Sequence, residues 1–175
     1  HYNNLKHLVG EKDISGFEMC TTDKLRKNDA DVLAFGTQSL TIPAKGKLDL
    51  VCNLPISALP PLHVIGAFPH MHQLGKKIST VLHRKSDGKT IDLGTVPAWD
   101  FGTQIWMPMP DVVINNGDNV ETNCVWENPG ASPVKWGENT SDEMCYSFTM
   151  YYPKVTLPIW SWGFPASLTS CSPKP

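Results

Sequence analysis

The sequence of 175 residues lacks the features that mark several classes of protein. It has no apolar run near the roughly 20 residues that a membrane-spanning helix needs. It contains 15 Lys and Arg against 17 Asp and Glu, so a net charge of −2 leaves no basic surface for nucleic acid or an anionic membrane. We therefore expect neither nucleic acid nor a membrane as a partner. The polar N-terminal residues contain no signal peptide, so in an exported protein we expect a leader that was removed or lay further upstream.

Turn-forming residues are frequent, and they favour strands over long helices. The chain has 15 Pro and 13 Gly, and short alternating runs at residues 17–22, 120–126 and 144–152 are typical of strands. The Ser-Asp-Gly sequence at residues 86–88 predicts a hairpin connection. The best helical candidate, residues 22–34, lacks a sustained apolar stripe. About ten strand candidates with regular turns predict one all-β domain over residues 1–175, an antiparallel sandwich or jelly roll.

The spacing of the five cysteines does not by itself decide whether the protein occupies a reducing or an oxidising compartment. Cys20, Cys52, Cys124, Cys145 and Cys171 form no C-x-x-C pair, which argues against a zinc ribbon or a thioredoxin-type motif. They are either buried thiols or members of disulfides. A bridge from Cys52 to Cys171 would close a loop of about 120 residues and stabilise the fold by about 5 kcal/mol. A bridge from Cys124 to Cys145 would close a loop of about 22 residues and stabilise the fold by about 3 kcal/mol. Either bridge would indicate an oxidising compartment.

The sequence His70-Met71-His72 is the first candidate metal site. Side chains two residues apart on a strand project to the same face, so both imidazoles could reach one ion while Met71 points away. Pro69 cannot donate a hydrogen bond to a neighbouring strand, which predicts a sheet edge or a bulge here. The alternative is a pair of histidines without a metal.

A third ligand is needed, and carboxylates near the pair are scarce. This scarcity argues against a zinc hydrolase site with two His and one Glu. Met144, in the sequence Ser-Asp-Glu-Met-Cys, offers a thioether instead, although a single Met is more often a filler of the core. Two imidazoles and one thioether would form a soft site suited to Cu(I).

Several sequence strings occur together in an order that resembles a known family. They lie at residues 1–4, 13–16, 25–27, 63–75 (HVIGAFPHMHQLG) and 141–152 (SDEMCYSFTMYY). The combination of H-x-H-x-x-G with D-E-M-C is specific. From His1 to Cys171 the chain resembles the C-terminal catalytic domain of the type II copper, ascorbate-dependent monooxygenases.

The resemblance implies two packed antiparallel sheets and a copper site. It implies that His70, His72 and Met144 are the catalytic ligands of a copper ion that activates dioxygen, with ascorbate as external reductant and a small molecule as the hydroxylated substrate. The runner-up function is a non-enzymatic copper-binding module on the same fold, serving in storage, sensing or partner contact. A third possibility is a structural sandwich that has lost the metal.

The resemblance also implies the disulfide pairs Cys52–Cys171 and Cys124–Cys145, and hence a secreted, vesicular or periplasmic location. It matches His1 to the third histidine of a second copper site, whose adjacent His-His pair does not occur in this chain. We therefore expect the upstream copper domain to be absent from these residues. Without it we expect the isolated domain to be inactive or weakly active.

The residues expected to contact the substrate depart from the peptide-amidating members. Phe68 stands where those members carry an Arg that binds the peptide carboxylate, and Tyr146 and Phe148 replace their other carboxylate-binding residues. The loss of the Arg removes a bidentate clamp. We therefore expect a small aromatic or apolar substrate beside copper, the alternative being that these aromatic side chains are ordinary core.

Overall fold

The computed structural model describes residues 7–155 and 169–174, and within these ranges the protein is built from strands without any helix. The predicted all-β fold is confirmed. No described segment is therefore a helix that could span a membrane. The strands are β1 (Asp31–Thr37), β2 (Thr41–Ile42), β3 (Gly46–Pro55), β4 (Leu62–His70), β5 (Gly75–His83), β6 (Thr90–Val96), β7 (Met107–Ile114), β8 (Asn119–Asn128), β9 (Val134–Lys135), β10 (Cys145–Tyr152) and β11 (Ser170–Pro173).

Two large antiparallel sheets supply the core. One sheet has the order β1-β10-β4-β7 and the other the order β11-β3-β8-β5-β6, while β2 and β9 form a small ribbon. Residues of both large sheets are buried against each other, as the side chains of Leu33 on β1 and Leu82 on β5 show. In β8 the alternation that predicts a strand puts Val120, Cys124 and Trp126 inward, each at most 1% exposed.

Both disulfides implied by the family resemblance are present. Cys124–Cys145 joins β8 to β10 and therefore links the two sheets, whereas Cys52–Cys171 joins β11 to its neighbour β3 within one sheet. Cys20 is a free, exposed thiol.

The prediction of a hairpin at residues 86–88 is confirmed, since β5 and β6 pair on either side of it. The strand prediction for residues 17–22 is wrong. Every residue from 7 to 30 is exposed and none of them lies in a strand, because alternation alone does not supply a partner strand. Residues 22–34 form no helix, and their last four residues begin β1 instead.

Candidate metal centre

His70 is the last residue of β4, where that strand loses one of its two neighbours. The pairing of β4 with β7 ends at Ala67 opposite Met107, so beyond this point β4 is paired on one side only. Pro69, which has no N–H, is tolerated there. The predicted sheet edge therefore exists only at the end of β4, because β4 is otherwise an interior strand of its sheet. The strand also has a bulge, but it lies near the start of β4 and not at the histidines.

His72 lies beyond the end of β4, which corrects the prediction that both histidines share a strand. The chain turns after His70, and the two rings meet edge to face with centroids 5.1 Å apart and an interplanar angle of 81°. Met71 points away from them, as predicted, and is fully buried in the core. The turn therefore brings the imidazoles together as a straight strand would have done.

Met144 directly precedes β10, 72 residues further along the chain than His72. Its side chain is 5% exposed and packs in a small cluster with Ala34 and Tyr146. His70, His72 and Met144 all line one cavity of about 700 Å³. The structure thus brings the three predicted ligands to a common opening.

A side-chain amide orients the ring of His70. Gln104 donates from Nε2 to the carbonyl of Phe101 at 2.9 Å, so its Oε1 faces His70 Nδ1 at 2.7 Å. Because that oxygen can only accept, Nδ1 carries the proton, and the lone pair of His70 is on Nε2. Burial lowers the pKa of His70, with His72 adding to the effect and the Gln104 hydrogen bond opposing it. A lowered pKa favours the neutral imidazole that a metal requires.

A backbone carbonyl orients the ring of His72. Its Nδ1 lies 2.9 Å from the carbonyl oxygen of Asp142, which again can only accept. Both imidazoles are therefore held through Nδ1–H and present an unprotonated Nε2. Outer hydrogen bonds of this type commonly fix the orientation of metal-binding histidines.

A buried carboxylate lies behind the candidate ligands. Glu143 is fully buried and accepts hydrogen bonds from the backbone N–H groups of His72, Leu74 and Met144 and from the indole of Trp126. Because two of these donors belong to candidate ligands, the carboxylate contacts the backbone of both.

The donor set fits copper better than zinc or a hard cation. In residues 7–155 and 169–174, no three His, Cys, Asp or Glu side chains are grouped to hold a metal, so a three-donor site here requires the thioether of Met144. Two rings on one ion, with metal–nitrogen bonds of about 2 Å, have centroids at most about 6 Å apart, and the observed 5.1 Å satisfies this. Two imidazoles with a thioether suit Cu(I).

Aromatic side chains form much of the rest of the cavity wall. Phe68 and Phe148, opposite each other on β4 and β10, line it together with Phe101. Tyr146 is 2% exposed and lies below the surface, and burial raises its pKa to about 12. A substrate contact by Tyr146 stays a prediction. His1 lies outside the described residues.

Sequence reasoning did not predict several residues of this site, among them Phe101, Gln104, Glu138 and Glu143. Gln104 is 34 residues from the histidine it contacts, and Glu143 is 71 residues from His72. An isolated Gln gives no signal in a sequence. Glu143 belongs to the D-E-M-C string, where an acid beside a candidate ligand was the one available signal.

Comparison with known proteins shows the family of this chain. Residues 28–161 match the family described as "Copper type II ascorbate-dependent monooxygenase, C-terminal domain". The DBH-like monooxygenase protein 1 of Mus musculus is 31% identical over 90% of this chain and 28% of its own length. The tyramine beta-hydroxylase of Caenorhabditis briggsae is 29% identical over 87% of this chain and 28% of its own length.

The dopamine beta-hydroxylase of Rattus norvegicus is 28% identical over 90% of this chain and 27% of its own length. The chain thus spans little more than a quarter of the curated relatives it matches. The match to the family nevertheless covers most of the chain, including β1, His70, His72 and Met144. The chain belongs to the copper type II, ascorbate-dependent monooxygenase family and corresponds to its C-terminal domain.

Proposed function

We propose that this domain holds copper through His70, His72 and Met144 and hydroxylates a C–H bond of a small aromatic substrate, with ascorbate as reductant. The observation that carries the proposal is the common cavity, which two imidazoles and one thioether line, with both Nδ1 atoms already hydrogen-bonded. Membership of the copper monooxygenase family supports it.

The protein groups around the site bind and orient. Gln104 and the Asp142 carbonyl fix the two imidazoles, and the thioether of Met144 favours the cuprous state. Bound copper would supply one-electron redox chemistry and dioxygen activation. Insertion of one oxygen atom into a C–H bond, with the other released as water, consumes two electrons and two protons, and ascorbate supplies the electrons.

The electron count and the exposed segment both support a partner domain. One copper ion stores one electron, so the second electron requires another site, which we place in an upstream copper domain of the same polypeptide. The relatives are more than three times as long as this chain. In residues 7–30 several large apolar side chains are bare, with Ile14 101%, Val9 96% and Phe17 85% exposed. Such side chains are explained if the segment packs against that domain.

The cavity supports an aromatic amine as substrate. Its volume of about 700 Å³ fits a small molecule, and Phe68, Phe101 and Phe148 offer aromatic contacts. Glu138 is the only carboxylate among the described lining residues, and it could pair with an ammonium group. The names of two relatives, tyramine beta-hydroxylase and dopamine beta-hydroxylase, refer to aromatic amines.

The two disulfides support a location outside the reducing cytosol: secreted, in a secretory vesicle or in the periplasm. The cysteines of both bridges are distant in sequence and both bridges are part of the sandwich.

Copper titration of ligand variants tests the site. We expect His70→Ala and His72→Ala to weaken both Cu(I) and Cu(II), and Met144→Ala to weaken chiefly Cu(I), because a thioether prefers the softer ion. His83→Ala on β5 and Met150→Ala on β10 are matched controls, because neither residue lines the cavity. Equal Cu(I) affinity in the wild type and Met144→Ala would remove the third ligand from the proposal.

Isotope labelling tests the reaction. The chain joined to its upstream domain should incorporate one atom of ¹⁸O from labelled dioxygen into the product of an aromatic amine. Copper binding without incorporation would instead favour the non-enzymatic module.

A further inference from the structure

Glu143 is a buried carboxylate whose charge is balanced by hydrogen bonds alone. It is 0% exposed, and among the described residues no Lys, Arg or His forms an ion pair with it. Its oxygens accept from four N–H groups at 2.6–3.2 Å. Burial of an unpaired carboxylate is very unfavourable unless such donors replace water. This position therefore has a specific reason to be acidic.

The four donors come from three separate segments. The backbone N–H groups of His72 and Leu74 lie in the turn after β4, and that of Met144 lies just before β10. The indole of Trp126 belongs to β8 in the opposite sheet. One side chain thus connects the segment of one candidate ligand to the segment of another, and connects both to the core.

The carbonyl groups of the turn have other partners, whereas the N–H groups of His72, Leu74 and Met144 bond to Glu143. The ladder between β4 and β10 ends at His70 opposite Tyr146, so the turn and residue 144 lie beyond the last paired residues. Together with the hydrogen bond from His72 Nδ1 to the Asp142 carbonyl, the carboxylate spans this gap. A shorter acid reaches less far, and an amide in the same place directs its own N–H toward groups that need an acceptor.

We propose that Glu143 is a positioning residue that sets the distance between His72 and Met144 by binding both of their backbone N–H groups. The expected effect of Glu143 on copper binding rests on the proposed function. It adds a residue that never touches the metal and that determines how well the imidazole and the thioether converge.

A second buried carboxylate provides a matched control. Asp118 is 2% exposed and accepts from the backbone N–H groups of Lys85 and Asn115, at the other end of β8. Its loss should destabilise the fold without changing the copper site. A comparison of the two acids separates positioning from general stability.

The experiment compares Glu143→Gln, Glu143→Asp and Asp118→Asn with the wild type. Cu(I) affinity is measured by competition with a chelator, and the Cu(II) site by electron paramagnetic resonance. We expect both Glu143 variants to lose about 10- to 100-fold in Cu(I) affinity, the usual effect of outer-shell changes, and to show an altered Cu(II) spectrum. Asp118→Asn should lower the melting temperature and leave affinity within about twofold, because it contacts no ligand. Wild-type affinity in a folded Glu143→Gln protein, or an equal loss in Asp118→Asn, overturns the inference.

Amide hydrogen exchange of the metal-free protein tests the hydrogen bonds to Glu143 independently of copper binding. In the wild type, the amide protons of His72, Leu74 and Met144 should be protected, and in Trp126→Phe, which removes one donor and keeps the carboxylate, they should remain so. Rapid exchange of these three protons in the wild type overturns the inference even if no Glu143 variant folds. If the wild type shows the protection and binds no copper at His70, His72 and Met144, the proposed function fails while the positioning of the two segments stands.

Discussion

Gln104 fixes a candidate ligand without carrying a charge. The amide is itself oriented by the Phe101 carbonyl, so it presents an oxygen to His70 Nδ1. A carboxylate in this place would also accept the proton, but it would add a negative charge beside the metal. A neutral acceptor therefore sets the ring and leaves the charge of the site to its ligands.

We expect Gln104→Leu to weaken Cu(I) binding by about tenfold or more, because Nδ1–H of His70 loses its acceptor and the ring is free to rotate. Chelator competition measures the effect. Gln73→Leu is the control, since Gln73 is another amide of the cavity wall. A loss of the same size in both variants would show that polarity of the cavity, and not orientation of the ring, is responsible.

Glu138 allows a prediction about the substrate. We expect Glu138→Gln to weaken the binding of phenethylamine by about two- to fivefold, since an exposed ion pair contributes up to about 1 kcal/mol, and to leave phenethyl alcohol unaffected. Calorimetry on the copper-loaded protein gives both constants. If the alcohol weakens equally, the carboxylate does not recognise the amine.

The disulfide between β8 and β10 stabilises the sandwich and also lies next to a candidate copper ligand. Cys145 follows Met144 directly, and Cys124 is fully buried in the facing sheet. The bridge thus anchors the first residue of β10 to the opposite half of the sandwich. The other bridge joins the edge strand β11 to β3 in the facing sheet, and neither of its cysteines lines the cavity.

We expect Cys124→Ala with Cys145→Ala to lower the free energy of unfolding by about 3 kcal/mol and to weaken Cu(I) binding as well, because Met144 loses its anchor. Cys52→Ala with Cys171→Ala should reduce stability by about 5 kcal/mol and leave Cu(I) affinity unchanged. Denaturant unfolding and copper titration separate the two outcomes. Unaltered copper binding in the first double variant would contradict the anchoring role.

At the scale of elements, sequence patterns correctly predicted the turns and strands that depend on neighbouring residues. The hairpin at residues 86–88 and the alternating strand β8 follow from turn residues and side-chain alternation. The run at residues 17–22 has the same alternation and forms no strand, because a strand also needs a neighbour to pair with. The histidine pair was predictable from a two-residue spacing, whereas the partners Gln104 and Glu143 meet it only through the tertiary fold.

The whole molecule has a packed sandwich and an exposed leading segment. The segment spans residues 7–30, and its bare apolar side chains include Leu25 and Met19. Family membership and the disulfide pairs followed from motifs spread over the whole chain, and no single motif was specific enough. Sequence alone did not show that residues 7–30 leave their apolar side chains exposed.

We expect limited proteolysis to cleave the chain rapidly within residues 7–30 and slowly within the sandwich. In the polypeptide that includes the upstream domain, the same segment should resist cleavage, since its apolar side chains would be covered. Phe17→Asp should restore rapid cleavage there, while Asp13→Asn, a polar change in the same segment, should not. Equal susceptibility with and without the upstream domain would show that the segment packs elsewhere.

The free thiol of Cys20 has a practical consequence. The other four cysteines are bridged, so this side chain is the one native site for a thiol-specific spin label. A nitroxide attached there could be paired with paramagnetic Cu(II) in a pulsed dipolar experiment. The distance distribution would record how tightly the leading segment is held relative to the sandwich, and no engineered cysteine would be required.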